Sequence, residues 1–288
     1  MTIRESLIQA AKKLKKSKST SPELDAEVLL SYVLNKSKAD IFGHMAENVE
    51  KKREKKFFNL IDKRALDWPV AYLTNQKEFF GLKFYVNKNV LIPRPETEGL
   101  VELILEKLKS PAFAKASTDR QKNLKILDIG TGSGCIAVSL AKNLPGKFFA
   151  SDVSSVAIKI AKKNAKLHKV AIIFKQGSLL EPWKNQNFDI IIANLPYLTK
   201  RTDPSTKFEP TKALIGAKKG LALFEELFKQ VYHLSPITYN LFLEIGHDQS
   251  KQIKKLAKIY LPEFETKISK DLSGRARFAV LEPGKKSV

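Results

Sequence analysis

Leu124-Lys-Ile-Leu-Asp-Ile-Gly-Thr-Gly-Ser-Gly134 joins an apolar run of strand length to a turn rich in glycine. The run, 124–129, predicts a buried strand. Gly130, Gly132 and Gly134 permit positive φ and let a ligand lie against the backbone. The helix expected next, over 135–144, opens with free N–H groups. The spacing is G-x-G-x-G. A dinucleotide fingerprint, G-x-G-x-x-G, needs glycine where Cys135 stands, so a pyrophosphate loop is disfavoured. The phosphate loop G-x-x-x-x-G-K-[ST] is absent from the sequence as well.

Outward from this stretch, apolar runs alternate with amphipathic ones. Strands are expected over 124–129, 147–152, 171–175, 188–193 and 238–245. Helices are expected between them over 135–144, 155–168 and 221–233. Alternating β and α implies an α/β fold with a parallel, doubly wound sheet. A last antiparallel pair is expected over 267–272 and 277–281. No internal repeat of solenoid period is present.

Asp152 closes the second strand and follows Asp128 by 24 residues, the span of one strand–helix–strand unit. An acid there can accept both hydroxyls of a ribose. Asp128, beside the glycines, can accept from a ligand ammonium, directly or through water. Glycines alone predict only a tight turn. Strand, three glycines, helix and second-strand acid together point to S-adenosylmethionine. The chain here resembles the class I, Rossmann-like methyltransferases. That resemblance implies that Asp152 holds the ribose and that Gly177-Ser178-Leu179 flanks the adenine. The cofactor residues expected are Asp128, Gly130, Thr131, Gly132, Ser133, Gly134, Asp152, Ser178, Leu179 and Asn194.

Asn194-Leu195-Pro196-Tyr197 follows the fourth apolar run, where open α/β sheets bind their ligands. An amide nitrogen is a poor nucleophile because its lone pair is delocalised. Asn194 Oδ1 and the Leu195 carbonyl can accept its two N–H groups and hold it in line with a methyl sulfonium. Tyr197 can lie against the amide plane and exclude water. Asn194 is no base, so the proton leaves after transfer, to water or to a group that the sequence does not name. The tetrapeptide resembles the Asn-Pro-Pro-Tyr motif of methyltransferases acting on planar nitrogens, adenine N6 or glutamine N5. Leu195 replaces the first proline, keeping the carbonyl and giving up a ring's rigidity.

Residues 1–66 read as helical. Thr20-Ser-Pro-Glu23 is a helix start, with Leu24, Val28, Leu29, Tyr32 and Val33 at helical spacing after it. A second helix is expected over 47–66. Phe79 to Val86 reads as a β-hairpin, and the prolines of Ile92-Pro-Arg-Pro-Glu96 delay the next helix to 96–108. Residues 109–123 read as a surface loop or insertion. Across nearly the whole chain the sequence resembles the peptide chain release factor glutamine methyltransferases. The matching stretches include Leu24-Asp-Ala-Glu-Val-Leu-Leu30, Glu78-Phe-Phe-Gly-Leu82, Leu91-Ile-Pro-Arg-Pro-Glu-Thr-Glu98, Phe208-Glu-Pro210, Leu243-Glu-Ile-Gly246 and Asp271-Leu-Ser-Gly274 with Arg277. Asn75 stands where that family usually has glycine.

The resemblance implies a helical substrate-recognition domain over 1–66, a hairpin linker over 67–95 and a methyltransferase domain over 96–288. It implies methylation of the glutamine in the Gly-Gly-Gln loop of class 1 release factors. Arg94, Glu96 and Glu209 are expected at the substrate mouth beside Asn194, Leu195, Pro196 and Tyr197; a linker anchored by ion pairs reads equally well for Arg94 and Glu96, and a plain turn for Glu209-Pro210. Three other readings remain open: a ribosomal-protein glutamine methyltransferase, an adenine-N6 nucleic-acid enzyme, and a non-catalytic RNA- or ribosome-binding module. An adenine-N6 enzyme must extract its base and usually carries a recognition region. The intact glycines, Asp152 and Asn194 oppose a non-catalytic module.

The charge balance is 51 Lys+Arg against 30 Asp+Glu, a net +21. This suits proximity to a ribosome or RNA as well as it suits a lysine-rich solvated surface. The single cysteine forbids an intramolecular disulfide and fits the cytoplasm. No apolar run has membrane length, no signal-peptide pattern is present, and the four histidines lack metal-ligand spacing.

Overall fold

A computed structural model of the chain describes residues 1–17, 19–109, 123–201, 204–233 and 240–284. Of the expected surface loop over 109–123, residues 110–122 lie outside these, as do the first two residues of the strand expected over 238–245. The described residues form two compact units. The first holds Met1–Gln76 and Pro204–Phe208; the second holds Lys77–Arg201 and the chain from Glu209 onward.

The first unit is helical: α1 (Ile3–Lys16), α2 (Pro22–Leu34), α3 (Lys38–Gly43), α4 (Lys51–Ala65) and α5 (Val70–Thr74). Ala10, Leu14, Leu29, Leu30, Phe57 and Ile61 are buried in one core. Thr2 and Glu5 form a capping box on α1. The box expected from Thr20 and Glu23 does not form. Ser21 caps α2 by backbone position alone, and the Ser19 and Ser21 hydroxyls donate to buried Asp25 instead. Arg64 on α4 donates Nε to the same carboxylate at 2.7 Å, so a paired acid ties α2 to α4. Asn75 ends α5 with φ 53, in the left-handed region that glycine or asparagine fills at a helix end.

The second unit opens with a hairpin, β1 (Gln76–Phe79) and β2 (Leu82–Tyr85), turned at Phe80-Gly81 with φ 51 and 70. Helix α6 (Pro95–Lys109) follows. The sheet then takes β3 (Lys125–Ile129), β4 (Lys147–Asp152), β5 (Ile172–Gln176), β6 (Ile190–Asn194) and β7 (Asn240–Glu244), all parallel. The antiparallel β8 (Phe264–Lys270) and β9 (Ala276–Pro283) complete the order β5-β4-β3-β6-β7-β9-β8. Helices α7 (Cys135–Asn143), α8 (Ser155–Leu167), α9 (Ala222–Tyr232) and α10 (Ser250–Tyr260) cover it. Leu127, Ile129, Ile191, Ala193 and Leu243 share a core with Phe224 and Phe228 of α9 and Ile253 of α10. Alternate residues Ile126, Ile192 and Phe242 are equally buried, as a two-faced parallel sheet requires.

Several elements depart from the sequence reading: α5 lies within the stretch expected as linker, and the hairpin and β8 each begin three residues earlier than expected. Helix α10 is absent from the sequence reading, although Ile253, Leu256, Ala257 and Tyr260 recur at helical spacing; it starts on Gln249 with no side-chain cap to mark it. Strand β6 ends one residue later than 188–193, so Asn194 is its last residue and pairs with Glu244. Among the described residues, no helix is long and apolar enough to cross a membrane.

Asn164 on α8 is fully buried. Its Nδ2 donates to the Tyr85 carbonyl at 2.9 Å and the Ser133 carbonyl at 2.8 Å. Its Oδ1 accepts from the Tyr85 amide at 2.8 Å. One side chain thus joins the hairpin to the glycine turn with its donors and acceptor engaged. Truncation to alanine strands the buried Ser133 carbonyl and two part-buried groups of Tyr85. Asn164→Ala is expected to lose on the order of 3 kcal/mol of stability, measured by urea unfolding.

Candidate active site

Strand β3 runs straight into its turn because Gly130 and Thr131 both donate their amides to the Ser151 carbonyl, at 2.8 and 3.0 Å. The turn is thereby pinned to β4. At Gly134, φ is 81 and an added Cβ would lie 3.1 Å from Ala161 Cβ on α8. That glycine serves helix packing. A cavity of about 320 Å³ opens beside the turn. Of the residues expected to hold the cofactor, Gly130, Gly132, Asp152, Ser178, Leu179 and Asn194 line it. Asp128, Thr131, Ser133 and Gly134 are not among the lining residues. Sequence reasoning missed Val90 and Leu91 of the linker, and Thr211 with Lys212, which line it too.

Asp152 sits at the tip of β4. Its Oδ2 accepts from the Gly132 amide at 2.9 Å and its Oδ1 from the Ser154 amide at 2.8 Å. Both oxygens are fixed by backbone, and each keeps a lone pair for a further donor. Burial raises its pKa, opposed by those amides. Asp128 is deeper. Its Oδ2 accepts from the Thr131 hydroxyl at 2.6 Å, and its Oδ1 has no hydrogen-bond partner among the described residues. Burial pushes its pKa up from 3.8 to about 7, against the pull of that hydroxyl.

Asn194 stands across the cavity floor. Its Nδ2 donates to Glu244 Oε2 at 2.9 Å and to Thr97 Oγ1 at 3.2 Å. The Tyr197 hydroxyl donates to Glu244 Oε1 at 3.1 Å and accepts from Arg277 at 3.3 Å. Arg277 in turn holds Asp271 through Nε at 3.2 Å. Glu244 is 2% exposed, and burial raises its pKa against the hydrogen bonds of Thr97 and Tyr197 and the charge of Arg277. Leu195 is 4% exposed and belongs to the sheet core, its Cδ2 3.6 Å from where a Gly130 Cβ would be. Burial of this side chain thus anchors the loop in the core. Leu198 pairs with Ile215 just downstream, closing the loop.

Arg94 and Glu209 are not on the cavity wall. The buried Glu209 carboxylate accepts from Arg94 at 2.6 Å and from the Ile92 amide at 3.1 Å. The pair clamps the linker that carries Val90 and Leu91. Glu96 is exposed at the start of α6. Pro196 lines the cavity, whereas Tyr197 packs behind it on the core.

A glycine turn, an acid on the next strand and an amide at the end of β6, on this strand order, define a class I Rossmann-like methyltransferase. Family profiles agree: "PrmC N-terminal domain" matches residues 5–74 and "Methyltransferase small domain" matches residues 102–220. The release factor glutamine methyltransferase of Moorella thermoacetica is 34% identical over 284 residues, covering 96% of this chain and 97% of that one. That of Flavobacterium psychrophilum is 42% identical over 223 residues, 73% of each chain. A solved methyltransferase from Pyrococcus furiosus shares the fold with a TM-score of 0.51 at 17% identity, over 82% of this chain and 100% of that one. The chain belongs to the release factor glutamine methyltransferase family. It is an S-adenosylmethionine-dependent enzyme, and the cavity beside Gly130 and Asp152 suits that cofactor.

Replacing Asp152 by alanine removes two acceptor oxygens from the diol position. It is expected to weaken S-adenosylmethionine binding by about 100-fold or more, read by calorimetry (two hydrogen bonds to a charged group, each contributing about 1.5–3 kcal/mol). For Asp128 the folded state holds its proton more tightly than the unfolded chain does. Stability is therefore greatest below pH 4 as far as this group is concerned, and falls as pH rises from about 4 to about 7. Asp128→Asn is expected to remove that slope, worth up to about 4 kcal/mol, in urea midpoints measured across the interval.

Proposed function

We propose that this chain transfers a methyl group from S-adenosylmethionine to the side-chain N5 of the glutamine in the Gly-Gly-Gln loop of class 1 peptide chain release factors. The observation that carries this reading is Asn194. It lines the cofactor cavity with both Nδ2 protons engaged by protein, so its Oδ1 is the atom left to receive a substrate amide. The names of the relatives supply the target, a glutamine of a release factor.

S-adenosylmethionine supplies the methyl group as a sulfonium. The residues of this chain do the rest. Asn194 Oδ1 and the Leu195 carbonyl accept the two N–H groups of the target amide and align its nitrogen. Acceptors on those protons favour positive charge building on nitrogen during transfer. Pro196 restricts Leu195 to extended backbone, which fixes where that carbonyl can be. Tyr197 braces the loop from behind through Glu244 and Arg277, and the linker residues Val90 and Leu91 exclude water from the cavity. Arg94 and Glu209 shape the mouth by clamping that linker. Glu96 lies on its exposed rim. The helical first unit recognises the body of the protein substrate. The +21 charge suits a cytoplasmic enzyme whose substrate works on an RNA-rich particle.

The test uses methyl-labelled S-adenosylmethionine with a class 1 release factor, its Gln→Ala variant, ribosomal proteins and DNA, followed by mass spectrometry. Label is expected on the Gly-Gly-Gln glutamine alone. Asn194→Ala is expected to lower kcat by about 100-fold or more. Label on DNA or on a ribosomal protein instead would overturn the substrate assignment.

A further inference from the structure

Glu244 lies in the stretch Leu243-Glu-Ile-Gly246, outside the cavity wall. Its place in the sheet is specific. Parallel pairing of β6 with β7 sets its Cα directly opposite Asn194. Its two oxygens are divided between the two polar side chains of the reaction loop. Oε2 accepts from Asn194 Nδ2 at 2.9 Å and Oε1 from the Tyr197 hydroxyl at 3.1 Å. Thr97, from the first turn of α6, accepts the second Nδ2 proton at 3.2 Å and gives its own hydroxyl proton to Glu244. The carboxylate is also faced by the charge of Arg277 on β9, and more distantly by Glu96.

A primary amide in a pocket has two orientations related by a half turn, which exchange oxygen and nitrogen. Packing barely distinguishes them, since the two ends have nearly the same shape. Hydrogen bonding does. Only the orientation with Nδ2 toward Glu244 and Thr97 gives each Nδ2 proton an acceptor. The opposite one sets Asn194 Oδ1 against a carboxylate, acceptor to acceptor, in a buried site where such a mismatch is costly.

We propose that Glu244, assisted by Thr97, is a positioning residue for methyl transfer: it holds Asn194 in the one amide orientation that turns Oδ1 toward the substrate nitrogen. This role rests on Asn194 being the acceptor for the target amide. It makes the acceptor of the reaction loop a property of two strands, with the carboxylate on β7 selecting which atom Asn194 on β6 presents.

The test exchanges donor and acceptor across the contact. Glu244→Gln keeps the shape but places an NH₂ against Asn194 Nδ2 or against the Tyr197 hydroxyl. It is expected to lower kcat 10- to 100-fold, with KM for the release factor and the affinity for S-adenosylmethionine within about twofold of the parent. Adding Asn194→Asp restores the pairing in reverse. The introduced amide donates to one oxygen of the introduced carboxylate and accepts from Tyr197, and the second carboxylate oxygen is left toward the substrate. The double variant is expected to recover at least about tenfold in kcat over Glu244→Gln alone. A merely structural role for Glu244 gives no such recovery. A Glu244→Gln enzyme within twofold of the parent, or a double variant no faster than the single one, overturns the proposal. Thr97→Val carries the same test if Glu244→Gln does not fold: a lower kcat at unchanged KM supports it, and an unchanged kcat overturns it. An Asn194→Ala enzyme that retains activity would instead sink the role given to Asn194, and this inference with it.

Discussion

The site depends on the parallel register of β3, β6 and β7. Strands running the same way finish at the same edge, and the ladder fixes which residues finish together. Ile129 lies opposite Ala193, Ala193 opposite Leu243, and Asn194 opposite Glu244. The glycine turn, the amide and the carboxylate thus emerge side by side. A slip of one residue in β7 would set Leu243 or Ile245 against Asn194 and move every side chain to the other face. The buried, two-faced packing of these strands makes that slip prohibitive, since it would push Glu244 into the α9–α10 core. Chemistry at this edge is therefore secured by apolar residues well inside the sheet.

The same geometry gathers buried acids in a protein with an excess of lysine. Asp128, Asp152 and Glu244 all have raised pKa values because burial strips water from them. Each is eased by dipoles or by one fixed charge: a hydroxyl for Asp128, two amides for Asp152, and Arg277 braced by Asp271 for Glu244. The surface lysines contribute little across that distance, being solvated and screened. A cationic ligand at this edge favours the ionised acids, and the ionised acids favour the ligand. Cofactor and site stabilise one another through a linkage that the free protein leaves partly unsatisfied.

Local pattern makes much of this legible. The run 124–134 shows strand and turn in eleven residues, Asp152 falls one unit later, and Asn194-Leu-Pro-Tyr197 announces itself at the end of an apolar run. What stays hidden is pairing at a distance. Glu244 reads as an ordinary strand-end acid, because nothing in Leu-Glu-Ile-Gly reveals that Asn194, fifty residues earlier, will lie opposite it. Asn164, amid Lys162, Lys163 and Lys166, reads as a polar helix face, although it is buried and joins two distant backbones. Glu209 reads as a residue of the substrate mouth, but its oxygens face Arg94 and the Ile92 amide. Thr131 and Ser133 share the glycine loop without lining the cavity, since their side chains turn into the protein. Charge and motif indicate that a residue matters; register and burial decide to whom.

Backbone strain lies where the reaction loop needs support. Lys218, Lys219 and Gly220 are left-handed in succession, with φ 50, 58 and 79. For two lysines this costs roughly 1–2 kcal/mol each. The conformation persists because it is held from several sides. Gln249 donates Nε2 to the Lys219 carbonyl at 3.0 Å, Gly216 donates to the Leu198 carbonyl, and Lys218 pairs with Glu225. The gain is close approach. A Cβ at Gly220 would stand 2.0 Å from the Tyr197 carbonyl, and one at Gly216 only 2.2 Å from that of Pro196. Gln249 donates to the Tyr197 carbonyl as well, at 3.3 Å. The strained turn is therefore a backbone shelf pressed against the reaction loop, on which two carbonyls rest without any side chain between. With Leu195 sunk in the core on one side and this shelf on the other, the loop is fixed by contact. A proline ring at position 195 would restrict a backbone that its surroundings already hold.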